Sequence, residues 1–170
     1  MNKTFWIFLL TGVAVVGGFL FTVFKTTEGA HLRLEGRILK VRVLALPDSA
    51  AVLAVVDFRV TNPSDVPFVG NSVALRLEPA SGDPVDGIVI SKPDVENMFR
   101  YEKLLGPKYN DVYSLQDRIA PHQTLDRMAA ARFNVPEAAV NARKAIRIRL
   151  EDVDGAVAEL VEAPAPPPAR

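Results

Sequence analysis

The chain has 170 residues, with 20 Lys and Arg, 20 Asp and Glu, and no cysteine. The lack of cysteine excludes disulfides, thiolate metal sites, cysteine nucleophiles and a lipid-modified N-terminal cysteine. A formal net charge of zero removes the electrostatic case for binding nucleic acid. With 49% hydrophobic residues, the chain is long enough to bury a core without covalent cross-links.

The first element is an uncharged segment, residues 4–24, bracketed by Lys3 and Lys25. As a helix rising about 1.5 Å per residue, it would be about 31 Å long, close to the bilayer hydrocarbon thickness of about 30 Å. A cleaved signal peptide, cut after Ala30, is the alternative, but its apolar core is usually only about 7 to 15 residues long. We therefore predict an uncleaved transmembrane anchor over residues 1–25, which contacts the lipid bilayer through residues 4–24.

Positive charge near the segment predicts its orientation. Close to the helix, Lys3 and the terminal amine outweigh Lys25, which Glu28 offsets, so the N-terminus is expected in the cytoplasm. A count that extends about 20 residues further reverses this balance, because it includes four more cations. They are Arg33, Arg37, Lys40 and Arg42. Favouring the near count, we expect a single-pass protein of the inner (cytoplasmic) membrane whose C-terminal domain is extracytoplasmic.

Small residues recur every four positions within the anchor, at Ala14, Gly18 and Thr22. Such a stripe lets a second helix approach closely, so weak self-association is one interpretation. The simpler alternative is that small residues are common in membrane helices and carry no partner here.

After a short linker at residues 26–30, residues 31–162 alternate hydrophobic and polar side chains, which is typical of strands with one buried face. The alternation changes phase between Leu34 and Leu39, which predicts a bulge near Gly36. The clearest strand covers residues 52–60. Further strands are predicted at residues 73–77, 85–90, 112–115, 129–135, 146–150 and 157–161, with a short helical or irregular connection at 136–144.

One amphipathic helix interrupts the strands. Ser91 is a suitable N-cap, with Asp94 three positions later and Pro93 tolerated in the first turn. Gly106 and Pro107 supply the stop, so the helix is predicted over residues 93–105.

Two turns and a tail complete the prediction. Asn62 and Pro63 end a strand in a turn that sets its register, and Asp154-Gly155 is a strong two-residue hairpin signal. Residues 163–170, rich in proline and alanine, are predicted to be a mobile tail. Seven or eight short strands with one inserted helix predict a mainly β, immunoglobulin-like antiparallel sandwich after a transmembrane helix.

Two stretches resemble known families. Residues 57–78, a strand ending in Asn62-Pro63 before a second alternating strand, resemble the group-2 late embryogenesis abundant family, whose water-stress domain is an immunoglobulin-like or fibronectin-like sandwich. Residues 119–123 and 132–136, a proline turn before a Phe-x-Val-Pro pattern, are similar to bacterial membrane-anchored immunoglobulin-like domains. The first resemblance implies a protective or binding role without chemistry, and the second implies an extracytoplasmic domain on an N-terminal anchor.

The chain offers little for catalysis. His31 and His122 have no partner at metal-ligand spacing, and the sequence contains no Gly-x-Ser-x-Gly, Walker or dinucleotide pattern. Glu151, Asp152 and Asp154 lack the spacing of a calcium loop, so a polar hairpin end is favoured over a weak divalent-cation site. We expect no enzyme, cofactor or metal, and a small hydrolase or metal-dependent enzyme remains a remote alternative.

A mixed aromatic and basic segment is the candidate for binding a partner, because Tyr and Arg are enriched at the energetic centres of interfaces. Its members are Phe99, Arg100, Tyr101, Lys108, Tyr109 and Tyr113. The alternative is that Phe99 and Met98 fix the helix to the sandwich while the tyrosines shield its loops. The sequence therefore predicts a membrane-anchored, non-catalytic extracytoplasmic domain that acts as a protein-interaction or structural module of the cell envelope, with an envelope protein as its partner. A water-stress-protective domain is the alternative.

Overall fold

The computed structural model describes residues 3–27, 34–46 and 50–163, and the chain divides into two units between His31 and Leu32. The first unit contains helix α1 (Lys3–Thr27). Among the described residues, no helix reaches the length and hydropathy expected of a membrane-crossing segment. His31, most of the predicted linker and residues 164–170 of the predicted tail lie outside the described residues.

The second unit is a two-sheet β-sandwich, as the alternation of the sequence predicts. Its described strands are β1 (Glu35–Ala45), β2 (Val52–Thr61), β3 (Phe68–Glu78), β4 (Val85–Asp86), β5 (Ile88–Val89), β6 (Asp111–Val112), β7 (Arg118–Ile119), β8 (Thr124–Phe133), β9 (Ala145–Asp152) and β10 (Val157–Val161). Its helices are α2 (Lys92–Tyr101), a 3-10 turn (Lys103–Leu105) and α3 (Glu137–Asn141). Four of the strands have only two residues, which is why the number exceeds the predicted seven or eight.

The first sheet has the order β1-β2-β8-β5, with β6 also beside β8, and the second has the order β10-β9-β3-β4, with β7 also beside β3. Every pairing is antiparallel except that of β6 with β8, where Val112 lies opposite Met128. The prediction of an antiparallel sandwich is therefore confirmed for the other described pairings and wrong at this short strand. It joins the sheet from the connection that follows α2, which approaches β8 in the parallel direction.

The core lies between the two sheets. It is formed by inward-facing side chains that include Phe58, Phe68, Phe133, Leu75 and Ile148. Burying such large apolar side chains is worth about 1.5–3 kcal/mol each. A second, smaller cluster lies on the outer face of the first sheet, and it is described with the candidate site below.

The predicted bulge in β1 exists but is displaced from Gly36. Pairing with β2 shifts register between Ile38 and Lys40, so Leu39 is the extra residue. Gly36 has a different reason to be glycine: a Cβ there would overlap the carbonyl oxygen of Arg59 on β2. It permits close approach of the two strands.

Helix α2 begins as predicted but ends earlier. The Ser91 hydroxyl accepts a bond from the Asp94 amide at 3.4 Å and donates to the Asp94 carboxylate at 2.5 Å. The helix ends at Tyr101: the Glu102 amide still donates to the Met98 carbonyl at 2.7 Å, but the Glu102 backbone is extended, with φ −96° and ψ 92°. The remainder of the predicted helix forms the 3-10 turn, which Gly106 closes at a φ of 70°.

Asn62 directly follows β2, and its side chain holds the turn. Its Nδ2 donates to the carbonyl oxygens of Val66 at 2.8 Å and Ile119 at 3.1 Å. Its Oδ1 accepts from the Ser64 amide and hydroxyl. The buried amide is thereby fully paired, and it joins the turn after β2 to strand β7.

The β9–β10 hairpin has a three-residue connection rather than the predicted two-residue turn at Asp154-Gly155. The Asp152 amide donates to the carbonyl of Ala156, so residues 153–155 form the loop. Gly155 has a φ of 85°, the left-handed position of this loop type. Asp152 accepts bonds from the Asp154 amide at 2.9 Å and the Val69 amide at 2.5 Å, which ties the hairpin to β3.

Candidate functional site: the strap on the outer sheet face

The outer face of the first sheet is half covered by α2 and the segment that follows it, residues 102–110, which we call the strap. Val95 of α2 and Leu105 of the strap are buried against outward-facing side chains of β2 and β8. The members contributed by these strands are Leu53, Val55, Met128 and Ala130. This packing gives β2 two buried faces over most of its length.

A buried ion pair lies at the edge of this cluster. Arg42 Nη2 on β1 donates to Asp57 Oδ2 on β2 at 2.7 Å, and the two side chains are 9% and 4% exposed. Asn110, at the end of the strap, donates from Nδ2 to the other Asp57 oxygen at 2.9 Å. Each oxygen of the buried carboxylate therefore has a donor, as a buried charge requires.

The Arg42 side chain also forms hydrogen bonds to the backbone of the strap. Its Nη1 donates to the carbonyl oxygens of Leu105 at 2.9 Å and Pro107 at 3.0 Å. The guanidinium carbon lies 4.8 Å from the centre of the Phe99 ring and 5.6 Å from that of Tyr109, within cation–π range. One side chain thus contacts α2, the strap and β2, and so ties the strap to the sheet.

Three large side chains are exposed at the end of α2 and on the strap. Tyr101 is 73% exposed, Leu104 is 85% exposed and Tyr109 is 61% exposed. The Lys40 ammonium lies 5.4 Å from the centre of the Tyr109 ring, so a cation borders this group. We call Tyr101, Leu104 and Tyr109 the strap patch.

The structure separates the residues predicted to form the interaction surface. Tyr101 and Tyr109 are in the strap patch and Arg100 is exposed, whereas Phe99 is half-buried under the Arg42 guanidinium. Lys108 forms ion pairs with Asp111 at 3.1 Å and Glu96 at 3.9 Å. Its hydrogen bond lowers the pKa of the Asp111 carboxyl.

Tyr113 does not belong to this surface, which corrects its place in the predicted set. It is only 4% exposed and packs against Phe58 between the sheets, with ring centres 6.1 Å apart. Burial, followed by the charges of Asp117 and Asp152, raises its pKa to about 12.

Leu104 was missed by the sequence analysis. Leu104 and Leu105 are adjacent, and Leu105 is buried against the sheet. Because neighbouring residues of a helical turn point in different directions, only one of the two can face the sheet. The adjacent apolar pair Leu104-Leu105, just before Gly106, could therefore have indicated that one of the two leucines is exposed.

The carboxylates and histidines give no second site within residues 3–27, 34–46 and 50–163. No group of three or more His, Asp or Glu that could hold a metal ion occurs there. Asp152 directs both oxygens to backbone amides rather than to a cation. His122 Nε2 lies 2.9 Å from Asp65 Oδ1 on the exposed end of the sandwich.

No protein-family model matches the chain, and no curated protein matches it significantly. Among solved structures, it is similar to an uncharacterized β-sandwich protein from Clostridium difficile 630, at 10% identity over 76% of this chain and 85% of that chain, with a TM-score of 0.39. It is also similar to the archaellum periplasmic stator protein FlaG from Sulfolobus acidocaldarius, at 12% identity over 75% of this chain and 98% of that chain, with a TM-score of 0.34. A Northeast Structural Genomics Consortium target is similar at 10% identity over 84% of this chain and 92% of that chain, with a TM-score of 0.40.

At these identities and scores, the likeness to the three proteins does not indicate an activity or a partner for this chain. The likeness of residues 57–78 to the group-2 late embryogenesis abundant domain stays a resemblance, since no family model matches the chain. The sandwich itself follows from the strand pairings of this chain.

Proposed function

We propose that this protein is a non-catalytic interaction or structural module of the cell envelope. In this proposal, residues 4–24 anchor it in the inner membrane with the N-terminus in the cytoplasm, and the sandwich faces the outside. The strap patch is the surface that binds an envelope protein.

The observation that carries the proposal is the way the chain holds the strap patch. Large apolar and aromatic side chains exposed together are a feature of interaction sites, and rigid scaffolds often display such sites on connecting segments. Here Arg42 holds the segment through two carbonyl oxygens and a buried carboxylate. A partner would therefore meet Leu104 and Tyr109 on a segment whose backbone is already held, next to Tyr101 at the end of α2, which lowers the entropy lost on binding.

The anchor is supported by the sequence of residues 4–24, which is uncharged over a length that matches a bilayer. Every described side chain from Leu9 to Thr22 is exposed, and most of them are apolar. A lipid surface is one environment that covers a helix which is apolar on all sides. Weak pairing through Ala14, Gly18 and Thr22 is part of the proposal, although the Thr22 hydroxyl already donates to the Gly18 carbonyl at 2.8 Å.

The strand order supports the finer assignment of an immunoglobulin-like fold. Strands β1, β2, β8 and β5 correspond in order to strands A, B, E and D of immunoglobulin domains. Strands β10, β9, β3 and β4 correspond to G, F, C and C′. Domains of this architecture serve many binding roles, so the assignment is compatible with the proposal but does not select a partner.

The partner surface can be tested by crosslinking the full-length protein in membranes and recovering it by an affinity tag. A triple variant that replaces the strap patch by alanine is expected to lose the crosslinked partner. Its substitutions are Tyr101→Ala, Leu104→Ala and Tyr109→Ala. Val153→Ala is the matched control, since Val153 is an exposed apolar side chain on the β9–β10 loop, away from the strap. Unchanged recovery with the triple variant would contradict the assignment of this surface.

The water-stress alternative predicts a different behaviour. A protective domain would suppress aggregation of unrelated client proteins on drying, without a defined partner or stoichiometry. It would also be insensitive to the triple substitution, because protection of that kind does not depend on one shaped surface. A drying assay with wild-type protein and the triple variant therefore separates the two functions.

A further inference from the structure

Strand β3 has an interrupted hydrogen-bonding edge. On one side it pairs with β9 from Gly70 to Glu78. On the other side it pairs with β7 only at Phe68 and Val69, and with β4 only at Arg76 and Leu77. Within the described chain, no strand pairs with this second side between those two short contacts.

The backbone of Val73 faces this gap. The Leu75 carbonyl accepts a bond from the Gly87 amide at 2.8 Å on the side of β4. Because the hydrogen-bonding direction alternates along a strand, the N–H and C=O of Val73, two residues earlier, point to the same side. The gap is bounded by Gly87 at one end and by Gln116, which donates to the Gly70 carbonyl, at the other. This leaves an open edge of roughly four residues, too short for a whole edge strand of another sandwich.

A crevice of about 450 Å³ runs along the gap, between the open edge of β3 and the edge of the first sheet. Its walls are formed by residues 71–73, 89–92 and 113–115. Val73, Val89 and Ile90 give it an apolar lining, and Leu115 lies at its rim with 62% of its surface exposed. Apolar walls beside an open strand edge are the features that bind an extended peptide.

Lys92 supplies a charge at one end of the crevice. It is exposed and makes no ion pair with residues that the structure describes, although its charge also acts on the Asp111 carboxylate. The Tyr113 ring borders the crevice, but its hydroxyl is buried against Gly70 and is not accessible to a ligand. The crevice thus offers the unpaired backbone of Val73 and a positive charge at one end.

We propose that this β3 crevice binds a short extended peptide segment of another protein by strand addition. The segment pairs with the backbone of Val73, places an apolar side chain between Val89 and Leu115, and directs a carboxylate to Lys92. A small molecule would leave the open strand edge unpaired, whereas a peptide backbone matches its spacing. The β3 crevice shares no residue with the strap patch, so it is a second binding surface.

The probe for the test is a synthetic peptide, acetyl-Thr-Val-Thr-Val-Glu-amide, titrated to millimolar concentration into the isotope-labelled full-length protein in detergent micelles. Amide chemical shifts of residues 71–73, 89–90 and 114–115 are expected to move, and the Val73 amide to gain protection from hydrogen exchange. A peptide in which proline replaces the central threonine lacks a ladder donor and is the matched control. Absence of these shifts, or equal shifts with the proline peptide, would overturn the proposal.

Variants locate the binding. Leu115→Glu changes an exposed side chain, so the fold is retained, and it is expected to weaken peptide binding about tenfold or more by placing a charge in an apolar contact. Lys92→Ala removes the exposed cation to which the peptide carboxylate is directed and is expected to weaken binding about twofold to fivefold. Unchanged affinity in both variants would contradict the assigned position.

Leu104→Glu in the strap patch separates this inference from the proposed function. It is expected to reduce partner recovery in the crosslinking experiment and to leave peptide binding unchanged. If it weakens peptide binding as strongly as Leu115→Glu does, the peptide binds at the strap and the β3 crevice assignment is wrong. Peptide binding that persists when no crosslinked partner is found would leave the crevice intact and overturn only the proposed function.

Discussion

Arg42 and Asp57 form their ion pair diagonally across two neighbouring strands. In the register of β1 and β2, Arg42 lies opposite Val55, and Asp57 lies opposite Lys40. Arg42 therefore reaches past its direct partner to a carboxylate two residues along β2, leaving Lys40 beside the Tyr109 ring. This diagonal places the guanidinium under the strap, where it holds two carbonyl oxygens.

The first prediction follows from the burial of this pair. Asp57→Ala leaves the Arg42 charge buried without its carboxylate, and it is expected to lower the free energy of unfolding by about 3–5 kcal/mol. Asp126→Ala is the matched control, because it removes the partner of Arg59 from an exposed pair on the same sheet face. Its unfolding midpoint is expected to stay nearly unchanged, since exposed pairs contribute little. Urea denaturation of the wild-type protein and the two variants measures the free energies of unfolding. Equal losses of stability in the two variants would refute the role given to Asp57.

A second prediction concerns the buried amide of Asn62. Asn62→Ala removes both donors to the carbonyl oxygens of Val66 and Ile119, and it is expected to cost about 1–3 kcal/mol of stability. Ser64→Ala removes a hydroxyl at the exposed side of the same turn and is expected to cost less. Thermal unfolding of the two variants provides the comparison. The opposite order of losses would mean that Asn62 does not hold the turn.

Gly70 and Tyr113 supply a third prediction, because a Cβ at Gly70 would overlap the Tyr113 hydroxyl. Gly70→Ala is expected to destabilise the protein by about 1–3 kcal/mol through overpacking. Tyr113→Phe alone is expected to be neutral or slightly stabilising, since it removes an unpaired buried hydroxyl. The double variant is expected to recover part of the loss in denaturant unfolding, because the ring Cζ would still lie 2.9 Å from the new Cβ. No recovery would show that the clash with the hydroxyl is not the cause.

The fourth prediction is a loss of stability in alkali. The pKa of Tyr113 is raised from an ordinary value of about 10 to about 12 in the fold, because burial disfavours the phenolate. Its contribution to stability is fully present below about pH 10 and is lost as the pH rises towards about 12, since the unfolded chain ionises first. Ultraviolet absorbance of the phenolate follows the titration, and unfolding at each pH follows the stability. Tyr113→Phe should show a smaller alkaline loss, and an identical profile would contradict this assignment.

Local patterns in the sequence predicted much of the sandwich. Alternation placed β2, β9 and β10 close to their observed positions, because strand pairing depends on which side chains face the core. The cap at Ser91 predicted the start of α2 for a similarly local reason. The end of α2 was wrong, since Glu102 turns away from helical geometry where the strap packs on the sheet.

The candidate site was less accessible to prediction, because its central residue looks like an ordinary surface cation. Arg42 lies in a strand with other charged residues, and only the tertiary structure shows that the strap covers it. A signal was present in β2, where residues 52–56 are apolar in both phases of the alternation. Such a run indicates a strand with two buried faces, and hence a covering layer outside the sheet.

Tyr113 was misplaced for a different reason. Its side-chain type suggested an interface. The direction of the side chain depends instead on its position in the chain, directly after Val112. The strand-like backbone directs Val112 to the outer cluster and Tyr113 to the core between the sheets. Residue type alone could not separate these two environments.

The most direct test of the proposed function uses the absence of native cysteine. Full-length Asp154→Cys, with the new thiol on the exposed β9–β10 loop, is expressed in cells and treated with a membrane-impermeant maleimide before fractionation. The proposal predicts that the protein stays with the inner-membrane fraction after an alkaline carbonate wash. It also predicts that the thiol is labelled when the outer permeability barrier is opened and the inner membrane is left intact. Recovery of the protein in the soluble fraction, or labelling only after the inner membrane is broken, would contradict it.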